Sequence, residues 1–228
     1  MGLNPYSKFE ADRKLNKNNL PEKINDRIQP FLEDNPEGLV LDLGAGNSPM
    51  VNQRVVQFDM FQYENTTVQG DALRLPFKDH SFSAVFCDAV LEHVTKPFVV
   101  GEEIKRVLKP GGYVDVSVPF VFPYHDVPDH FFNMSVSGLR VIFEDLEETD
   151  AGVLKCPAYA LRNIIGNYKK MLKRVYKDGS VGIIQKIRCF LVYRFMSTGL
   201  KFNLESIPLT FEEKHTLAGA VYFRGLKN

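Results

Sequence analysis

Cysteine is scarce. Cys87, Cys156 and Cys189 are odd in number, far apart and without a Cys-x-x-Cys pair. A disulfide-stapled miniprotein is excluded, a structural zinc site is disfavoured, and a reducing, cytoplasmic setting is expected. Long apolar runs are lacking too. The most apolar stretch, Gly182 to Leu200, is interrupted by Lys186, Arg188 and Arg194 and does not read as a membrane span. Met1 to Glu10 has no apolar signal core. Internal repeats and low-complexity tracts are missing. Net charge is also missing, with 28 basic and 28 acidic residues, yet the balance is global and not local. Between Lys155 and Asn203 eleven basic residues face the single acid Asp178, so the rest of the chain carries a matching negative excess.

What is present is enough for a core: 228 residues, 44% hydrophobic, with 18 Phe and 9 Tyr. Leu20-Pro21-Glu22 opens a predicted helix with Ile24, Ile28, Phe31 and Leu32 at helical spacing. Pro36-Glu37-Gly38 ends it. Short apolar runs then alternate with helical patterns, as βαβ units of a parallel sheet do. Strands are expected at Leu39–Leu43, Arg54–Phe58, Thr66–Gln69, Phe82–Cys87 and Tyr113–Val118, and at about Glu148–Leu154 and Ala218–Arg224. Helices are expected from Pro97 to Leu108, stopped by Lys109-Pro110-Gly111-Gly112, and from Ser135 to Phe143.

Chemistry is concentrated at the carboxyl ends of these strands, where open α/β sheets bind ligands. Val40-Leu41-Asp42-Leu43-Gly44-Ala45-Gly46 delivers an acid and then two glycines, a turn that lets backbone approach a ligand. Pro49 stands where a dinucleotide fingerprint wants glycine, so a nicotinamide enzyme is a poor reading. Asp59 ends the second strand, where a carboxylate can accept from a ribose diol. Asp71 ends the third and Asp88 the fourth. Any one of them reads equally well as a turn aspartate; four in succession are a pattern.

These residues, with Asp71-Ala72-Leu73-Arg74-Leu75-Pro76-Phe77, Phe82-Ser83-Ala84-Val85-Phe86, Leu91-Glu92-His93-Val94 and Arg106-Val107-Leu108-Lys109-Pro110-Gly111-Gly112, occur in an order that resembles class I S-adenosylmethionine-dependent methyltransferases, in particular the type 11 branch. The likeness spans about Leu39 to Val118. It implies a Rossmann-like, doubly wound seven-stranded sheet whose last strand is antiparallel. It also implies S-adenosylmethionine as cofactor and S-adenosylhomocysteine as product. Carried over, Asp42, Gly44, Ala45 and Gly46 line the amino-acid end, Asp59 and Met60 the ribose, Asp71, Ala72 and Leu73 the adenine. Asp88, Ala89 and His93 border the methionine side. Two departures stand out: Ser48 replaces a third glycine, and only Asn47 to Arg54 separates loop from second strand, too short for the family's usual helix.

After the fifth strand, Pro123-Tyr124-His125-Asp126-Val127-Pro128-Asp129-His130-Phe131-Phe132 faces the same edge. His125 is the candidate base, since imidazole titrates near neutrality; a loop histidine that only packs and hydrogen-bonds is the equal alternative. Tyr124, His130 and Phe131 are candidate acceptor contacts. His125, Asp126, Asp129 and His130 also have the chemistry of metal ligands, but a polar loop accounts for them and no metal is expected.

The chain divides into a leader and helix (1–38), a methyltransferase core (39–156), a basic helical insertion or cap (157–213) and a final core strand (214–228). Within the insertion a helix from Ile183 to Met196 aligns Ile183, Ile187, Phe190 and Leu191. A packed cap with a solvated basic face, a surface for anionic substrate or lipid headgroups, and a nucleic-acid surface compete, nucleic acid ranking last. The expected activity is methyl transfer to an oxygen or nitrogen of a small-molecule, glycan or lipid-type acceptor. The rivals are a membrane-associated acceptor such as a quinone or lipid-linked sugar, with peripheral membrane contact through the insertion, and a cofactor-binding protein without turnover that acts through a partner. The oligomeric state is left open.

Overall fold

The computed structural model describes residues 24–49, 52–125, 129–199 and 209–228. The start of the predicted first helix, Asp126 and the stretch around Lys201 lie outside them. Seven strands form one sheet in the order β3-β2-β1-β4-β5-β7-β6. They are β1 (Val40–Leu43), β2 (Val55–Asp59), β3 (Val68–Gln69), β4 (Phe82–Asp88), β5 (Leu108–Pro119), β6 (Glu147–Lys155) and β7 (Ala220–Leu226). β1 to β5 are parallel, and β7 runs antiparallel to both β5 and β6. This is the Rossmann-like arrangement expected, with the chain reversing direction across the sheet at β1, between β2 and β4.

The central strands β1 and β4 are mostly apolar because both faces are covered. Alternation assigns the faces: Val40, Ala84 and Phe86 pack toward helix α1 (Asn25–Asp34) with Ile28 and Leu32. Leu41, Leu43, Val85 and Cys87 join the larger core with α2 (Pro97–Val107) and α3 (Val136–Ile142). Phe31 of α1 stacks on Tyr113 at 5.4 Å and meets Phe86 edge-on at 5.7 Å.

The face under α1 is not wholly apolar. Arg27, 4% exposed, donates from Nη1 to Asp115 Oδ1 (2.6 Å) and from Nη2 to Ser117 Oγ (3.3 Å), and its Nη2 lies 3.0 Å from Asp88 Oδ1. Arg224 Nε donates to the other Asp115 oxygen at 2.8 Å. A buried ion pair adds little over an apolar isostere, but removing one partner strands the other and costs about 3–5 kcal/mol. Arg27 thus pins α1 to β4 and β5.

Boundaries differ from expectation at two places. β3 holds only Val68–Gln69, because just two residues pair with Phe58 and Asp59 of β2. β5 begins at Leu108, directly after α2, and Lys109-Pro110-Gly111-Gly112 lies inside the strand as an irregularity rather than before it. Its backbone is satisfied by β7's end: Gly111 N–H donates to Lys227 O (2.7 Å), and Lys227 N–H to Gly112 O (2.9 Å). Gly111, at φ 72°, makes the turn that this needs. Among the described residues no helix lies between β1 and β2.

Between β6 and β7 come α4 (Pro157–Lys177), α5 (Ile183–Gly199) and α6 (Phe211–Thr216). α4 and α5 lie against each other: Lys169 and Lys173 ammoniums sit 5.1 and 5.3 Å from the Tyr193 ring centre, and Tyr176 meets Phe190 at 6.4 Å. Tyr159, in the first turn of α4, stacks on Phe122 at 6.1 Å. Ile183, Ile187, Phe190 and Leu191, expected on one face of a helix, are all exposed, as is Phe195 at 78%. Among the described residues no helix is long and apolar enough to cross a membrane.

Candidate functional site

The carboxyl ends of β1 to β4 surround a cleft of about 360 Å³. The loop after β1 shapes one side. Gly44 has φ 75°, and a Cβ there would collide with Cγ2 of Val90, so both backbone and space demand glycine. Gly46 N–H donates to Asp59 Oδ2 and Phe61 N–H to Asp59 Oδ1, each at 2.9 Å. Two backbone donors orient the Asp59 carboxylate and leave lone pairs on both oxygens for a diol. Asp71, anchored by Leu73 N–H at 2.9 Å, is held the same way.

Gly44, Asp59, Met60, Asp71, Ala72, Leu73, Ala89 and His93 line this cleft together with Tyr63, Val90 and Thr95. Of the remaining expected cofactor contacts, Asp42, Ala45, Gly46 and Asp88 stand outside its lining. Asp42 is 2% exposed and its Oδ2 has no hydrogen-bond partner. Burial first, then the neighbouring Asp88, pushes its carboxyl up to about 7, with Arg27 pulling the other way and Asp59 adding a little. An orphaned buried carboxylate oxygen, a glycine cradle and two anchored acids fit a ligand bearing an ammonium, a diol and an adenine amine, as S-adenosylmethionine does.

Ala89, at φ 54°, adopts a backbone that residues with a Cβ seldom take; its N–H donates to Ser117 O at 2.9 Å. Ala89 also lines a second cavity, of about 390 Å³, with Asp88, Glu92, Ser117, His125, Lys155 and Tyr159. Ser117 Oγ makes a short hydrogen bond to Asp88 Oδ1. His125 therefore stands in the cavity next to the cleft, whereas Tyr124, His130 and Phe131 are not among its lining residues. Tyr124 stacks on His130 at 5.9 Å, and Phe131 N–H donates to Glu92 O at 2.7 Å, tying the loop after β5 to the turn after β4. Of the loop residues weighed as metal ligands, Asp129 offers its carbonyl to His93 and His130 turns Nε2 to Phe132 O and Asn133 Oδ1.

Sequence reasoning passed over Arg27 and Glu92. Glu92 is fully buried in the turn Leu91–His93, neither carboxylate oxygen has a hydrogen-bond partner, and burial pushes it up to about 8. An acid directly after the apolar pair Val90-Leu91 was the available signal. Nothing local marks Arg27, whose partners lie on β4 and β5.

Residues 37–115 match the family model described as a methyltransferase domain. The ubiquinone/menaquinone biosynthesis C-methyltransferase UbiE of Coxiella burnetii is 29% identical over 108 residues, 46% of this chain and 43% of that protein. The demethylmenaquinone methyltransferase of Listeria monocytogenes is 33% identical over 105 residues, 44% of each. The chain thus covers less than half the length of these relatives. Among solved structures, the YcgJ protein from Bacillus subtilis superposes with a TM-score of 0.50 at 19% identity, over 88% of this chain and 97% of that one, a likeness of fold. Motif order, strand order and the matched segment agree, and residues 37–115 carry the methyltransferase-domain pattern seen in class I S-adenosylmethionine-dependent enzymes.

Proposed function

We propose that this protein transfers the methyl group of S-adenosylmethionine to an oxygen or nitrogen of a small-molecule, glycan or lipid-type acceptor, releasing S-adenosylhomocysteine. The observation that carries this reading is the pair of cavities sharing Ala89, one walled by the strand-end acids and the other by His125. The cofactor, when bound, supplies an electrophilic methyl on a sulfonium sulfur. Gly44, Ala45, Gly46 and Asp42 would hold its amino-acid end, Asp59 and Met60 its ribose, and Asp71, Ala72 and Leu73 its adenine. Displacement at the methyl carbon needs the acceptor in line with the sulfur, so most of the protein's work is alignment. A proton leaving the acceptor would pass to His125, at the wall of the second cavity. Residues 157–213 would cover that cavity as a cap, Tyr159 of α4 already lining it.

Calorimetric titration with S-adenosylmethionine and S-adenosylhomocysteine, with NAD as control, tests the reading. Micromolar binding of the first two, abolished in Gly44→Arg with the fold intact, is expected. A folded protein that binds neither would retire it.

A membrane-associated acceptor is the second reading, favoured by the apolar and basic surface of α5, where Ile183, Ile184, Leu191 and Phe195 stand exposed among Lys186, Arg188 and Arg194. The Coxiella and Listeria relatives are named for quinone methylation, the first of them at carbon, so a quinone and its isoprenoid precursors belong in the acceptor screen. Co-sedimentation with anionic liposomes, lost on reversing Lys186, Arg188 and Arg194, is the expected result. A protein left wholly in the supernatant removes this reading and leaves the first intact.

A further inference from the structure

Two imidazoles confront each other beside a carboxylate that nothing satisfies. His93 closes the turn after β4, and His125 lies in the loop after β5. Their Nε2 atoms are 3.2 Å apart. Behind each ring, Nδ1 meets a main-chain carbonyl: Asp129 O at 2.5 Å from His93 and Pro123 O at 3.3 Å from His125. A carbonyl only accepts, so each Nδ1 carries the hydrogen. In a neutral ring the other nitrogen is then a lone pair. Two lone pairs at that separation repel unless a positive centre stands between them. Glu92, fully buried, brings two further unpartnered acceptor atoms, with Oε1 4.0 Å from His93 Nε2. One ligand atom from each of the three residues falls within 4.8 Å of the others.

We propose that Glu92, His93 and His125 form a binding site for a divalent transition-metal ion of the zinc class. The donor set, two imidazole nitrogens and one carboxylate, suits zinc and its first-row neighbours better than magnesium or calcium, which prefer oxygen alone. Zinc–nitrogen bonds of about 2.0–2.1 Å in a tetrahedron set their nitrogens roughly 3.3 Å apart, close to the spacing seen. The two Nδ1-to-carbonyl hydrogen bonds are the outer contacts that fix the tautomer and direction of metal-binding histidines. Three protein ligands leave a coordination position open, as in catalytic rather than structural sites. The loop set weighed from sequence shares only His125 with this one; Asp129 serves through its carbonyl and Glu92 supplies the anion.

The placement gives the ion a use. His93 lines the first cleft, while Glu92 and His125 line the second cavity, so the ion lies at the boundary between the two. In the methyl-transfer reading, on which this last step rests, the acceptor's oxygen or nitrogen takes the open position and is oriented by the ion. His125 is then a ligand rather than the base, and the proton that the acceptor sheds on binding the ion, made more acidic by it, passes to solvent.

The test uses the untagged full chain, stripped with a chelator and titrated with Co²⁺, then Zn²⁺, reading visible absorption and heat. One Co²⁺ per chain is expected, with the intense visible bands of a four- or five-coordinate ion, displaced by Zn²⁺. Affinity should fall by about tenfold or more in His93→Ala, His125→Ala and Glu92→Gln, and stay unchanged in His80→Ala. Because Glu92 is buried, thermal unfolding accompanies each titration: Zn²⁺ should raise Tm of the parent and not of His125→Ala. An absence of binding, or binding untouched by the His93 and His125 substitutions, overturns the proposal; the pair then shares a proton. The readout needs no cofactor, so metal binding without S-adenosylmethionine binding keeps this site while removing the methyl-transfer reading, and the reverse result does the opposite.

Discussion

The sheet and the α4–α5 pair treat their apolar side chains in opposite ways. In β4, Phe82, Ala84, Val85, Phe86 and Cys87 are all within 1% of full burial. In α5, Ile183, Ile184, Ile187, Phe190, Leu191 and Phe195 are all at least half exposed. The first region carries its own stability. The second has apolar surface in hand, each large side chain worth about 1.5–3 kcal/mol once buried, and a basic face beside it. The sheet is therefore filled while α5 still turns large apolar side chains to solvent.

Matched substitutions set the extremes of this contrast. Phe86→Ala should lower unfolding free energy by about 3–5 kcal/mol, as aromatic deletions in packed cores do. Phe195→Ala should change it by about 0.5 kcal/mol or less while reducing liposome binding. Equal losses in chemical denaturation would mean that α5 is part of the same core after all. Arg27→Ala follows, with about 3–5 kcal/mol lost because Asp115 and Asp88 forfeit a buried cation. A loss within error would show that Arg224 alone suffices for Asp115.

Within the cleft, Asp59→Ala should weaken S-adenosylmethionine binding by about 1.5–3 kcal/mol, the worth of hydrogen bonds to a charged group. Unchanged affinity in calorimetry would put the ribose elsewhere. The smallest effect is on pH dependence. Asp42 binds its proton more tightly folded than unfolded, its carboxyl rising from 3.8 to about 7 under burial, with Asp88 and Asp59 adding to and Arg27 opposing the shift. Between those values the native state holds more protons, so stability falls as pH rises through that window. Glu92 contributes with the same sign up to about 8. Asp42→Asn should make the slope shallower without abolishing it, measured as Tm against pH; a slope identical to the parent's would deny Asp42 its raised value.

How much of this was legible in the chain follows from where each residue finds its partner. β1 and β4 show as continuous apolar runs because strands buried on both faces leave no polar alternation. Asp59 and Asp71 show because they end such runs. β5 was placed five residues late, since Lys109-Pro110-Gly111-Gly112 has the composition of a helix stop, and only pairing with Lys227 reveals it as strand. α4 falls within the stretch expected to be helical, though its limits were not set, and the face of Ile183, Ile187, Phe190 and Leu191 belongs to a helix as expected, with its exposure left undetermined by spacing alone. Periodicity reports a face, not what covers it. Arg27 and Glu92 escaped for a related reason: their roles are defined by partners 88 residues away in one instance and by missing partners in the other.

Ala89 has one more consequence. Its single methyl group is part of the partition between the two cavities, on a backbone that glycine would adopt more cheaply. In the methyl-transfer reading proposed above, glycine would relax the chain and valine would crowd the boundary between the cavities, so the size of acceptor turned over should change with either.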